Sequence, residues 1–175
     1  MTRRSLLAAG AGLAGSALAM SQAHGQAASG RTLNFYNLHT GETLSADYWQ
    51  GGAYAPDALA AIDHVLRDHR TGDVHPIDPR LLDLLHDLSA ALEARDPFQV
   101  ISGYRSPRSN AALADASSGV ARGSLHMQGM AIDVALAYAP LPSLRQAALD
   151  LGRGGVGYYP DPGFVHVDVG RVRRW

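Results

Sequence analysis

The most informative stretch of the sequence is SLHMQGMAIDV, residues 124–134. From Met130 onward, apolar residues alternate with small or acidic ones, which predicts a strand with one face in the core. Asp133 lies on the opposite face between two alanines. Their small side chains leave room for a ligand bound by the carboxylate. His126 precedes this strand, and a turn at Gly129 would fold the imidazole back towards Asp133.

A second strand is predicted by GFVHVDVG, residues 163–170. Its valines share one face and are predicted to be in the core, while Phe164, His166 and Asp168 share the other face. A histidine and an aspartate two positions apart on one strand face can contact the same bound ion or molecule. This strand therefore adds a second imidazole and a second carboxylate to the candidate site.

His126, Asp133 and His166 together make a set of two histidines and one carboxylate. Three protein ligands that leave a fourth position for water are typical of catalytic zinc rather than structural zinc. Iron(II) accepts the same triad, so the residues alone leave the choice of metal open.

The rest of the chain predicts helices first and short antiparallel strands late, which is an α+β pattern. The most secure helix begins at the N-cap Asp78 and carries a leucine stripe at Leu81, Leu85, Leu88 and Leu92. The other predicted elements are a hairpin over 33–45, helices over 56–70, 107–116 and 143–151, a strand over 98–104, and a hairpin over 154–169. We therefore expect a small antiparallel sheet packed against several helices, with the metal site on a sheet face.

Composition excludes several classes of function. The 175 residues carry 15 basic and 16 acidic side chains, for a formal net charge of -1, so no basic excess suggests a nucleic-acid partner. The chain has 0 cysteines, which excludes disulfides, thiolate zinc sites and thiol nucleophiles. Any metal must therefore bind to histidine and carboxylate side chains.

Residues 1–27 are predicted to be a signal peptide. Arg3 and Arg4 precede an apolar stretch of about 15 residues, which is followed by small residues typical of a cleavage site. This arrangement is the twin-arginine form of a bacterial export signal. Cleavage after either residue 25 or residue 27 fits the pattern. No later segment is apolar enough to span a membrane. We expect a single domain over 31–175, located in the periplasm with no stable membrane span after cleavage.

Four motifs occur in a fixed order: ISGYRS at 101–106, S-x-H-x-x-G-x-A-x-D at 124–133, YYP at 158–160 and FVHVD at 164–168. In this order they resemble the zinc murein endopeptidases of the D-alanyl-D-alanine metallopeptidase family. The wider superfamily includes lysostaphin-like enzymes and the hedgehog signalling domain. The resemblance covers residues 33–175, which is nearly the whole of the predicted domain.

The resemblance implies one zinc ion on His126, Asp133 and His166, and hydrolysis of peptide cross-links in peptidoglycan by metal-activated water. Because uncontrolled hydrolysis of the wall endangers a bacterium, a regulatory partner is also expected. Such enzymes often take a general base from an acid a few residues before the last ligand. Here the residue three positions before His166 is Gly163, so that assignment does not carry over.

Three further residues are candidates for the chemistry. Asp168 shares a strand face with His166, so it is predicted to act as the general base or else to orient His166. Asp161 lies in a turn bounded by prolines and is the weaker candidate for the base. Arg105 is predicted to clamp a substrate carboxylate or to support the developing oxyanion.

Two other functions use the same ligands. A D,D- or L,D-carboxypeptidase would trim the end of a stem peptide, and a closed pocket with extra arginines would favour it. A non-catalytic, zinc-containing module that binds the cell wall would keep the metal without turnover. The missing acid before His166 is the feature that supports this last alternative.

Overall fold

The computed structural model describes residues 30–117 and 119–175, so the predicted signal peptide over 1–27 lies outside the described residues. Within the described part, no helix has both the length and the apolar character needed to cross a bilayer. The strands are β1 (Arg31–Asn37), β2 (Thr43–Gln50), β3 (Ala53–Tyr54), β4 (Phe98–Ser102), β5 (Ala131–Ala135), β6 (Gly155–Tyr159), β7 (Phe164–Asp168) and β8 (Arg173–Arg174). The helices are α1 (Pro56–Val65), α2 (Pro79–Ala91), α3 (Pro107–Ala116) and α4 (Leu141–Leu151), and a 3-10 turn spans Leu125–Gln128.

The described strands form one 8-stranded sheet in the order β3-β2-β1-β4-β5-β7-β6-β8. The pairs β1–β4 and β6–β8 are parallel, and the other neighbouring strands are antiparallel. The predicted α+β class is confirmed. The sheet is larger than expected because short edge strands extend it, and because β4 pairs with β1 across the intervening helices, a crossover that parallel pairing requires.

Helix α2 begins and packs as the sequence predicts. The Asp78 side chain accepts a hydrogen bond from the backbone N–H of Arg80, and Pro79 follows at the first helical position. Leu81, Leu85 and Leu88 are all fully buried. They pack in the core cluster, and α2 contacts both β1 and α4.

Helix α1 is shorter than the predicted 56–70, because it ends at Val65. The next residues leave the helix to support the connection between β4 and α3. The carbonyl of Leu66 accepts a hydrogen bond from Tyr104 N at 2.7 Å. The buried carboxylate of Asp68 accepts one from Ser106 N at 2.9 Å. The residues after Val65 thus contact the 104–106 segment through the backbone of Leu66 and the side chain of Asp68, and they do not continue the helix.

The two faces of β5 and β7 differ in chemistry as their alternation predicts. Ile132, Val134, Val165 and Val167 are fully buried in the hydrophobic core. The opposite face carries the candidate site residues, described next. Helices α1, α2 and α4 all contribute side chains to the core cluster.

Candidate metal centre

Strand register places the candidate side chains in one row across the sheet. Asp133 on β5 lies directly opposite His166 on β7. Ser102 on β4 is the partner of Asp133 on one side, and Gly157 on β6 is the partner of His166 on the other. Because paired residues point to the same face of a sheet, this row forms the floor of the site.

His126 reaches the same floor from the 3-10 turn. The hydroxyl of Ser124 caps this turn by accepting from His126 N, and Gly129 ends it with a φ of 65°. This left-handed conformation favours glycine. A Cβ at Gly129 would also lie 2.2 Å from the carbonyl oxygen of Pro76. The predicted turn that folds His126 back towards Asp133 is therefore present, and it is tightly packed.

Three ligand atoms meet at this point. Nε2 of His126 lies 3.3 Å from Oδ1 of Asp133, and Nδ1 of His166 lies 2.8 Å from the same oxygen. The two imidazole nitrogens are 3.2 Å apart. A tetrahedral zinc ion with bonds of about 2.1 Å separates its ligand atoms by roughly 3.4 Å. Only small movements of these side chains are needed to match that spacing.

Hydrogen bonds on the far sides of both rings fix their tautomers. Nδ1 of His126 donates to the carbonyl of Gly103 at 2.7 Å, which leaves Nε2 as a lone pair. Nε2 of His166 donates to the Asp168 carboxylate at 3.2 Å, which leaves Nδ1 facing Asp133. With both rings neutral, two nitrogen lone pairs and one carboxylate oxygen face a common point. The donor set of two imidazoles and one carboxylate at that point suits zinc.

The titration of these groups reflects the same arrangement. Burial alone would raise the pKa of Asp133, but His126 and His166 hold that pKa below its usual range. Burial opposes protonation of His166, yet the carboxylates of Asp133 and Asp168 raise the pKa of its imidazole.

Asp168 is fully buried and its carboxylate is saturated with hydrogen bonds. Oδ1 accepts from the backbone N–H groups of Gly155 at 2.9 Å and Gly170 at 2.8 Å. Oδ2 accepts from Arg173 Nη2 at 2.7 Å as well as from His166. Burial would raise the pKa of Asp168, but these hydrogen bonds hold it below its usual range.

Arg105 is buried at the same floor, with 9% of its surface exposed. Its Nη2 atom lies 3.6 Å from Oδ2 of Asp133 and donates to the hydroxyl of Ser102 at 3.2 Å. The site thus contains a guanidinium beside the carboxylate oxygen that does not face the histidines. Asp161, the weaker candidate for the base, is exposed in the turn between β6 and β7 and does not line the cleft.

These groups open into a cleft of about 410 Å³, within the size range of ligand sites. Sequence reasoning missed two of its lining residues, Arg173 and Trp175. Both come from the end of the sequence, where β8 pairs in parallel with β6. A strand of two residues has no periodicity to detect, so the sequence pattern did not indicate that Arg173 or Trp175 lines the site.

A family model described as peptidoglycan L,D-endopeptidase MepK matches residues 25–175. The chain is 42% identical over 175 residues to the peptidoglycan L,D-endopeptidase MepK of Escherichia coli strain K12, covering 99% of this chain and 96% of the relative. It is also 42% identical over 146 residues to the probable peptidoglycan L,D-endopeptidase MepK of Haemophilus influenzae, covering 83% of this chain and 78% of that protein.

These matches confirm the resemblance to murein endopeptidases that the ordered motifs indicated. They cover the whole described part of the chain, including all the residues that form the cleft. The chain therefore belongs to the MepK family of peptidoglycan L,D-endopeptidases, within the D-alanyl-D-alanine metallopeptidase superfamily.

Proposed function

We propose that this protein is an exported, zinc-dependent endopeptidase that hydrolyses an L,D-peptide bond within the cross-links of peptidoglycan. The observation that carries the proposal is the convergence of one possible ligand atom from each of His126, Asp133 and His166 at the floor of the cleft. The names of the relatives supply the substrate class and the stereochemistry of the bond. The chemistry of the cleft supplies the reaction type.

His126, Asp133 and His166 would hold the zinc ion. When bound, zinc would lower the pKa of water towards ~7 and polarise the scissile carbonyl, which together make a peptide bond susceptible to hydrolysis. The chain fixes both imidazoles through Gly103 and Asp168, so their ligand atoms are oriented before any metal arrives.

Arg105 is proposed to stabilise negative charge on the oxygen of the reacting carbonyl. Its guanidinium lies at the floor of the cleft, and Ser102 and Asn110 hold it in place with donor–acceptor distances of 3.2 and 3.5 Å. A fixed cation favours negative charge that develops beside it in the transition state. The 3.6 Å approach to Asp133 also orients that carboxylate towards the histidines.

Asp168 is proposed to orient His166 rather than to accept a proton from water. Its carboxylate has no exposed surface and it accepts hydrogen bonds from two backbone N–H groups, an imidazole and a guanidinium. A general base must come within hydrogen-bond reach of the proton that it removes. This burial favours the positioning role of the two roles that the sequence left open.

Residues 1–27 are proposed to direct export to the periplasm by the twin-arginine route, and residues 31–175 to form the single metallopeptidase domain. The motif that supports this is Arg3-Arg4 before an apolar stretch. Full-length protein with an epitope tag should appear in the periplasmic fraction, shortened by its signal. The double variant Arg3→Lys, Arg4→Lys should remain inside the cell, and a Sec-dependent reporter should stay unaffected.

The proposed activity is tested by digesting disaccharide-peptide dimers with the purified protein and following the products by mass spectrometry. One dimer is joined through an L,D-bond and a second through a D,D-bond. A chelator control and His126→Ala run in parallel. His64→Ala is the matched control, because His64 is an exposed histidine outside the metal cluster.

Conversion of the L,D-linked dimer to monomers, abolished by the chelator and by His126→Ala but not by His64→Ala, is the expected result. Release of only a terminal residue would replace this proposal with a carboxypeptidase. An intact dimer beside a protein that holds zinc at one ion per chain would replace it with a cell-wall-binding module.

A further inference from the structure

Three aromatic side chains, Tyr159, Phe164 and Trp175, form one side of the cleft, and we refer to them as the aromatic wall. The rings of Tyr159 and Phe164 stack with centroids 4.6 Å apart. Trp175 Nε1 donates a hydrogen bond to the hydroxyl of Tyr159 at 2.7 Å. The wall reaches the metal site directly, because the Trp175 ring lies 5.3 Å from that of His166.

The backbone of Trp175 is fixed on the edge of the sheet. Its N–H donates to the carbonyl of Val156 at 3.2 Å, and its carbonyl accepts from Tyr158 N at 3.1 Å. These bonds continue the parallel pairing of β8 with β6. The indole is therefore attached to backbone that is hydrogen-bonded to β6.

The ring itself is held by two further residues. Gly157 leaves the space that the indole fills, since a Cβ there would come within 2.7 Å of the ring. The guanidinium of Arg173 lies 4.9 Å from the centre of the ring while it also pairs with the buried Asp168. One arginine thus connects the aromatic wall to the carboxylate that orients His166.

Despite these restraints, Trp175 is 48% exposed. A large apolar ring that is immobilised and yet open to a cleft offers contact area at a low cost in conformational entropy. The positive charge of Arg173 is matched by Asp168, so the open part of the wall is apolar. The other guanidinium that lines the cleft is that of Arg105, which lies across its floor beside Asp133.

We propose that Trp175 is a substrate-contacting residue, which packs against the aliphatic part of the peptide next to the scissile bond. This proposal rests on the proposed function, because it assigns the wall to the peptide cross-link that the metal site would cleave. It predicts that recognition combines an apolar contact at Trp175 with a polar contact at Arg105. Selectivity for the peptide then comes partly from an element that the sequence motifs do not include.

The test compares Trp175→Ala and Trp175→Phe with wild type in steady-state cleavage of the L,D-linked dimer. Tyr138→Ala is the matched control, because Tyr138 is an aromatic residue with 86% exposure that does not line the cleft. Zinc content and melting temperature are measured for each variant. A separate binding assay uses the Trp49→Phe variant, in which Trp175 is the one remaining tryptophan of the 2 in the sequence.

Trp175→Ala should lower kcat/KM about tenfold or more, mainly through KM, with zinc content unchanged. Trp175→Phe should lose less, and Tyr138→Ala should match wild type. In the Trp49→Phe protein treated with chelator, the intact dimer should change the tryptophan fluorescence and saturate. That signal would support the wall as a peptide site even if no dimer were cleaved, in which case the proposed function alone would fail.

Cleavage by Trp175→Ala with wild-type kcat and KM would overturn the proposal while leaving the proposed function intact. A fall in kcat and zinc content at constant KM would also overturn it, because Trp175 would then act only by packing against His166. The absence of any fluorescence change on adding a dimer that the wild type cleaves would contradict it as well.

Discussion

The Nε2 atom of His166 lies 3.2 Å from Oδ2 of Asp168, on the opposite side of the ring from the Nδ1 atom that faces Asp133. The carboxylate can only accept, so it favours a proton on Nε2 and leaves Nδ1 as the proposed ligand atom. Asp168 is itself held by Arg173 and by two backbone N–H groups. The orientation of one proposed metal ligand therefore depends on hydrogen bonds that extend from His166 through Asp168 to Arg173 on β8.

Replacing Asp168 by Asn should weaken zinc binding by about 10- to 100-fold, because His166 loses the acceptor that fixes its tautomer. The measurement is the zinc dissociation constant, obtained by competition with a chromophoric chelator. Asp115→Asn is the control, since Asp115 is an exposed carboxylate on α3. An Asp168→Asn protein that binds zinc as wild type does but has lost its activity would instead assign Asp168 as the general base.

Replacing Gly129 by Ala should destabilise the protein and weaken zinc binding together. Its φ of 65° costs a residue with a Cβ about 1–2 kcal/mol, and here the added atom would also lie 2.2 Å from the carbonyl of Pro76. Gly51→Ala is the matched control, because it has a φ of 58° with open space around it. Urea unfolding should show a larger loss for Gly129→Ala than for Gly51→Ala. Equal losses of unfolding free energy in the two variants would contradict the prediction, because the contact with Pro76 would then add no cost.

The alternating strands predicted the two faces of β5 and β7, because a period of two fixes which side chains share a face. The spacing around Gly129 also predicted that His126 folds back. These predictions depend only on local geometry, so they did not require knowledge of the rest of the fold. The leucine stripe of α2 is predictable for the same reason.

The sequence did not reveal the partners that complete the site. The carbonyl of Gly103 holds His126, and β8 brings Arg173 to Asp168. Both contacts depend on which strands become neighbours, and that is decided by packing across the whole sheet. Arg105 was predicted to act at the site, but its proximity to Asp133 depends on the pairing of β4 with β5.

Replacing Leu85 by Ala should lower the free energy of unfolding by about 2–5 kcal/mol, because the side chain is fully buried in the core between helices and sheet. Urea denaturation at neutral pH measures the loss. Leu38→Ala serves as control, since Leu38 is 46% exposed and should change stability by less than about 0.5 kcal/mol. Similar losses for the two variants would argue against the packing of α2 described above.

Asp68 should make stability depend on pH in acid. Burial would raise the pKa of this carboxyl, but hydrogen bonds from Ser109, Ser106 and the backbone of Arg70 hold it below its usual range. A group whose pKa is lower in the folded chain stabilises the fold above its unfolded pKa of about 4, and this contribution is lost as the pH falls through the folded pKa. Asp68→Asn removes the charge and should therefore be less stable than wild type at neutral pH.

The measurement is urea unfolding of wild type and Asp68→Asn at about pH 6 and about pH 3, where the difference in unfolding free energy should shrink at the lower pH. Other carboxylates titrate in both proteins, so the difference isolates Asp68. Because Asp68 anchors Ser106 N, directly after Arg105, the variant should also lower the catalytic rate at neutral pH while zinc content stays unchanged. A difference in stability that is constant with pH would show that Asp68 contributes through packing and not through its charge.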